Sequence, residues 1–370
     1  MKNIRYILHS LIILIGIALT HCTIFSEKLP IVYSKQYNIS FWGLEKLHPF
    51  ESKKYEKVAR YLSNHFNTPI NKLFHEPISM STDEELLQFH TQEYLTSLQD
   101  SKVVAKITEL PPLKIAPKFI VRSAILNPMK YATAGTCLAA QLAWDNKQYA
   151  INLGGGFHHA SADHGGGFCI FGDIQLAMLD IWDKKPNAKI MYIDLDAHQG
   201  DGVELGLETY ITNIDPVKPR LVVFDIYGRD NYPGHNNARD YIQYDRPITD
   251  LRYHRRSAVT DTQYLDQVAE LATIIPHEKP DIIFYNAGSD IYEHDPLGRL
   301  NISGDGIIQR DEMVFRYAKE HNIPIVMTLS GGYTKESAQI IGKSIANLLA
   351  TVWDIKPLSS HIDRATKKFK

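Results

Sequence analysis

Cysteine is scarce in this sequence: among 370 residues only Cys22, Cys137 and Cys169 occur, and no two lie at the short spacing of a zinc ribbon or a redox CxxC pair. A disulfide framework and a thiolate metal site are thereby excluded. Excess charge of one sign is also lacking. Forty basic residues against 42 acidic ones leave a formal net charge of -2, and no basic run is long enough to track a phosphate backbone. Nucleic acid is not expected as a direct partner. No Gly/Ser/Pro-rich linker, repeat or low-complexity tract divides the chain, so one folded domain is expected over residues 27–355, followed by a polar tail over 356–370. With 44% hydrophobic and 10% aromatic residues, the chain has enough apolar side chain for a large core.

The longest apolar run, Leu11 to Leu19, stands at the N-terminus behind Lys2 and Arg5. It is shorter than the roughly 20 residues needed to span a bilayer, and a basic start before a short apolar run is an export address. Residues 1–22 are therefore expected to form a signal peptide. Leu19-Thr20-His21-Cys22 also resembles a lipoprotein signal, which would attach the chain to a membrane through a lipidated Cys22. Either way the expected location is outside the cytoplasm, periplasmic or secreted.

From Pro49 to Phe66, Tyr55, Val58, Ala59 and Leu62 recur at helical offsets, and Asp83 to Leu98, opened by Ser81-Thr82-Asp83-Glu84, reads as a second, capped helix. Beyond them the pattern changes. Short apolar runs recur at Tyr149 to Leu153, Lys189 to Leu195, Leu221 to Ile226, Asp281 to Tyr285 and Ile323 to Leu329, each followed by glycine or a polar turn and a helix-like stretch. Such runs predict an α/β fold with a mostly parallel central sheet and helices on both faces. In such sheets ligands bind beyond the carboxyl ends of the strands, and every reactive-looking cluster of this chain lies there.

Asp196-Ala197-His198 places a carboxylate and an imidazole on one side of an extended backbone, where both can reach one ion. Asp290, beyond a neighbouring run and after Gly288-Ser289, is the candidate third ligand. Two aspartates and one histidine suit Zn²⁺, with Fe²⁺ or Co²⁺ as alternatives. His158-His159, after Gly154-Gly155-Gly156-Phe157, supply adjacent imidazoles suited to moving protons. Asp194 and Asp201, which bracket the proposed ligands, can fix the tautomers of those histidines. Tyr333, presented by Gly331-Gly332, can donate a hydrogen bond to an oxyanion.

Gly154-Gly155-Gly156-Phe157-His158-His159, Gly166-Gly167-Phe168-Cys169, Asp194-Leu195-Asp196-Ala197-His198-Gln199-Gly200-Asp201-Gly202, Asn286-Ala287-Gly288-Ser289-Asp290 and Ser330-Gly331-Gly332-Tyr333 together resemble, in order, the histone deacetylase signature. The likeness covers the chain from Ile31 to Leu349 and implies the arginase/deacetylase fold. Ser330, His48-Pro49-Phe50 and Tyr232-Pro233-Gly234 point to class IV. The resemblance implies zinc on Asp196, His198 and Asp290, and His159 as general base and acid oriented by Asp201. It makes His158 an electrostatic partner backed by Asp194, and Tyr333 the group that polarises the acyl carbonyl. Phe168 and Tyr232 would wall the tunnel for the substrate's lysine stem and acyl group, with Gly167 lining it. The family also binds potassium near Asp194, Asp196 and His198, although Asp225 stands where a hydroxyl ligand is common.

The implied reaction is hydrolysis of acyl-lysine amides on a peptide, a protein or a small acylated amine. An acetylpolyamine amidohydrolase would share every catalytic residue. A two-manganese ureohydrolase would need further carboxylates, but Gly200 and Tyr292 occupy the neighbouring positions. An inactive acyl-lysine-binding module would have lost the shuttle or the tyrosine, and both remain.

Overall fold

A computed structural model describes residues 28–39, 53–207, 221–234, 244–248 and 259–357. The apolar run at Leu11–Leu19, Cys22 and the His48-Pro49-Phe50 segment lie outside the described residues. Among the described residues no helix is long and apolar enough to cross a membrane.

Among the described residues seven strands form one sheet: β1 (Ile31–Val32), β2 (Tyr149–Asn152), β3 (Ile190–Asp194), β4 (Leu221–Gly228), β5 (Tyr244–Ile248), β6 (Ile282–Asn286) and β7 (Ile325–Thr328). Their spatial order is β1-β2-β7-β6-β3-β4-β5, and every pairing is parallel. The five strands anticipated from apolar runs are present. Every residue of β2, β3, β4, β6 and β7 is buried, which requires cover on both faces of the sheet.

Helices provide that cover. α1 spans Lys54–His65, α2 Asn127–Asn146, α3 Asp173–Lys184, α4 Asp201–Gly206, α5 Gly304–Glu320 and α6 Ser337–Thr351. α2 packs on α3 and on the β1, β2 and β7 strands, while α1 and α5 both pack on α6. The single helix expected over Asp83 to Leu98 is instead two short helices, Asp83–Leu86 and Gln92–Ser97. Thr82 caps the first, in a capping box with Glu85, but Thr91 caps a fresh helix and its N–H donates to the Ala162 carbonyl at 2.9 Å. Between the two, buried His90 accepts from the Gly172 N–H at 2.9 Å, and these tertiary bonds override local helical periodicity.

Strand register places the chemistry. Asn152 is level with Thr328, Thr328 with Asn286, Asn286 with Asp194, and Asp194 with Asp225, so a polar row runs along the carboxyl edge of the sheet. Thr328 donates to the Asn286 side chain at 3.0 Å, and Asn286 to Asp194 at 3.1 Å. The loops that leave this row carry the anticipated motifs.

Candidate active site

Asp196, His198 and Asp290 converge above the polar row: all three are buried, and each offers a ligand atom within 4.8 Å of the others. The Nδ1 of His198 lies 3.0 Å from Asp196 Oδ1 and 3.0 Å from Asp290 Oδ2. Backbone amides aim the carboxylates, with Ala197 N–H donating to Asp290 and Gly331 N–H to Asp196, each at 3.0 Å. A Cβ at Gly331 would collide with both carboxylates, so only glycine allows this close approach. Burial, and then the charge of Asp196, pushes the Asp290 carboxyl up to about 7. Burial works against the His198 imidazolium, yet hydrogen bonds to Asp196 and Asp290 lift it to about 10. Two buried carboxylates and an imidazole in this state suit a divalent cation, which would replace the protons they hold.

The two neighbouring histidines are in van der Waals range, with ring centroids 4.0 Å apart, but their carboxylates differ. His158 Nδ1 lies 2.8 Å from Asp194, and His159 Nδ1 lies 2.6 Å from Asp201. Each Nε2 is thereby left for chemistry. Burial would lower the His158 imidazole, but Asp194 and then Asp196 raise it to about 9. Burial and the charge of His158 lower His159 to about 4, despite its bond to Asp201. The two imidazoles are thus pushed in opposite directions, His158 toward the cation and His159 toward the neutral form.

Tyr333 completes the ring of groups. Its ring centroid lies 6.5 Å from that of His198 and 5.9 Å from that of Phe168. Burial, and then the charges of Asp290 and Asp196, keep its phenol protonated well above the usual range. Tyr232, 47% exposed, stands edge-on to His159 at 4.9 Å between centroids and marks the open side. Gly167 fits between these two rings in a left-handed conformation (φ 48°), which favours glycine. Every anticipated site residue among His158, His159, Asp194, Asp196, Asp201, His198, Asp290, Phe168, Gly167, Tyr232 and Tyr333 therefore belongs to one locus. An apolar cavity, lined by Ile39, Tyr55, Ile125, Met129, Phe168 and Tyr333, adjoins it.

Several positioning groups were not anticipated. Asp173 accepts from Gly156 N–H at 2.9 Å, Phe157 N–H at 2.8 Å and Thr136 at 2.6 Å, fixing the loop that carries both histidines. A lone carboxylate between the apolar Phe171 and Ile174 was the available signal. Asp295 is saturated by the backbone N–H groups of Leu297, Gly298 and Tyr333, at 2.9, 3.1 and 2.8 Å. It thus braces the tyrosine instead of extending the ligand set toward a second ion. Asp194 is similarly occupied by His158, Asn286 and the Asp196 N–H.

Residues 48–349 match the family described as Histone deacetylase domain. The chain is 43% identical over 324 residues to histone deacetylase 2 of Arabidopsis thaliana, covering 87% of this chain and 79% of that protein. It is 27% identical over 256 residues to histone deacetylase B of Dictyostelium discoideum, covering 68% of this chain and 58% of that one. In fold it is similar to the crystal structure of the HDA15 HD domain, with a TM-score of 0.66 at 18% identity over 91% of this chain and 92% of that one. These relatives correct the location expected from the N-terminus. Relatives named histone deacetylases do not support a periplasmic or secreted location, and the export expected from residues 1–22, with attachment through a lipidated Cys22, is withdrawn.

Proposed function

The chain belongs to the histone deacetylase family and is an amide hydrolase, and from that premise we propose that it cleaves acyl-lysine amides at the Asp196, His198 and Asp290 centre with zinc as its metal. The carrying observation is the pairing of one buried three-donor centre with two adjacent histidines, each held at Nδ1 by its own carboxylate. Bound at that centre, zinc would supply Lewis acidity, activating a water and polarising the acyl carbonyl.

The chain's own groups do the rest. His159, neutral and tethered through Nδ1 to Asp201, takes a proton at Nε2 from the attacking water and returns it to the leaving amine. His158, held cationic by Asp194, stabilises the negative charge that develops beside it. Tyr333 donates its phenol proton in a hydrogen bond to the oxyanion. Phe168 and Tyr232 flank the lysine stem, with Gly167 set between the Tyr232 and His159 rings.

The same reading assigns residues 27–355 to one catalytic domain, and Ser330 with Tyr232-Pro233-Gly234 to the class IV pattern. A potassium ion near Asp194 would meet buried Asp225, which stands where a hydroxyl ligand is common and whose Oδ1 has no hydrogen-bond partner among the described residues.

A preference for long acyl groups over acetyl belongs to the same reading: added methylenes that enter the apolar cavity beside Tyr333 would each contribute about 0.8 kcal/mol if the transition state keeps the contact. A panel of lysine peptides and polyamines bearing acetyl to myristoyl groups tests this. Peptide turnover with kcat/KM rising with chain length is expected. Equal rates on acetyl and myristoyl lysine would remove the chain-length preference, and turnover of acylated polyamines alone would select the amine amidohydrolase.

A further inference from the structure

Two long cations lie fully buried behind the site, and the chemistry above uses neither: Arg310 on α5 and Lys54 on α1. Arg310 Nη1 donates to the Leu195 carbonyl at 3.0 Å and to the Gly288 carbonyl at 2.6 Å, while Nη2 donates to the Ala287 carbonyl at 3.3 Å. Leu195 immediately precedes Asp196, and Ala287-Gly288 precede Asp290. One planar group thus bridges the two loops that carry all three ligands. Its charge is matched by Asp311, which accepts from Nε at 2.9 Å, so its role toward the ligands is one of spacing.

Lys54 acts elsewhere. Its Nζ donates to the Ser330 carbonyl at 2.5 Å and the Gly331 carbonyl at 3.0 Å. Ser330 is a non-glycine residue in the left-handed region, with φ 43°, and Gly332 follows at φ 135°. Such a turn persists only where its surroundings over-determine it. Asn286 donates to Ser330 Oγ, and Ser330 Oγ donates to the Gly156 carbonyl, each at 3.0 Å. The ammonium secures the other side of the turn that presents Tyr333.

We propose that these two buried cations are positioning residues with separate duties: Arg310 sets the spacing of the ligand loops and hence metal affinity, and Lys54 sets the turn before Tyr333 and hence turnover. The inference rests on the metal reading of the site. A guanidinium bridges several carbonyls at fixed spacing, whereas an ammonium keeps the charge without the fork. Arg310→Lys therefore separates geometry from charge.

The test uses the full chain, with Zn²⁺ affinity measured by chelator competition, the visible spectrum of the Co²⁺-loaded protein, and kcat and KM. Arg310→Lys should weaken Zn²⁺ by about tenfold or more and alter the Co²⁺ spectrum. Lys54→Met should leave Zn²⁺ affinity and spectrum at the parent's values while kcat falls about tenfold to a hundredfold, and Lys54→Arg should restore most of the loss. Leu348→Ala, which opens the core in α6, serves as a stability control. Arg310→Met is expected to lose more affinity than Arg310→Lys; if it fails to fold, Arg310→Lys alone decides. Parent-like Zn²⁺ binding by Arg310→Lys overturns the proposal. So does equal Zn²⁺ loss in Leu348→Ala at matched thermal destabilisation, or in Lys54→Met. If the parent itself binds no Zn²⁺ or Co²⁺, the metal reading fails first, and this inference with it.

Discussion

The two edges of the sheet handle charge in opposite ways. At the carboxyl edge, neighbouring strands end in Asn152, Thr328, Asn286 and Asp194, and the loops above them hold Asp196, His198 and Asp290 away from water. At the amino edge, β3 and β6 begin beside the Lys185–Asp281 pair, 2.7 Å apart, whose side chains are 48% and 33% exposed. Water screens that pair, so its net worth is small. Inside, charge is tolerated only when each group is paired and hydrogen-bonded, and removing one partner leaves a costly orphan. The dry edge is where this chain concentrates its chemistry.

Emptying the dry edge should have the largest effect. The Asp196→Ala, His198→Ala double variant is expected to fall from about one metal per chain to background in elemental analysis, with turnover lost, because two of three donors are gone. Acid should approach the same state by protonation. Metal must displace protons from Asp290, at about 7, and His198, at about 10, so affinity should fall steadily as pH drops through that interval; a flat profile by chelator competition would contradict this.

Next in size is His159→Ala, which removes proton transfer but no ligand and should lower kcat by about two to four orders of magnitude at full metal content. Tyr333→Phe should cost about two to three orders in kcat, the loss of one oxyanion donor, again with metal retained. Full activity in either variant would remove that residue's role. The smallest effect belongs to the wet edge. Lys185→Ala should change stability by less than about 1 kcal/mol in denaturant titration and leave turnover unchanged. A larger change would show that the amino edge is coupled to the site.

The five buried strands were legible because their apolar runs are bounded by glycine or polar turns, and the ligand motifs because they fall directly after those runs. β1 was not legible: two residues, Ile31 and Val32, are too few to display a period. β5 was not either, since Pro247 argues against a strand and is tolerated because this strand lies at the sheet edge. The site was legible where side chains carry the chemistry or pair with its histidines, as Asp194 and Asp201 do, and obscure where they brace backbone. Lys54 shares the buried stripe of Val58 and Leu62, and Arg310 that of Ile307 and Val314. A charged residue on an apolar helix stripe signals a buried partner, but the partners here are backbone carbonyls, which sequence does not mark.

β7 comes last of the described strands yet lies between β2 and β6 in the sheet. Until it inserts, those two strands cannot be joined, and each presents an open edge able to pair with other chains. Its arrival pairs residues as far apart as Tyr149 and Ile325, contacts whose loop-closure cost slows folding. The turn at the end of β7 also delivers the Gly331 N–H to Asp196 and brings Tyr333 into place. Tight metal binding, which needs the Gly331 N–H at Asp196, is therefore a readout of a closed sheet in a refolding chain.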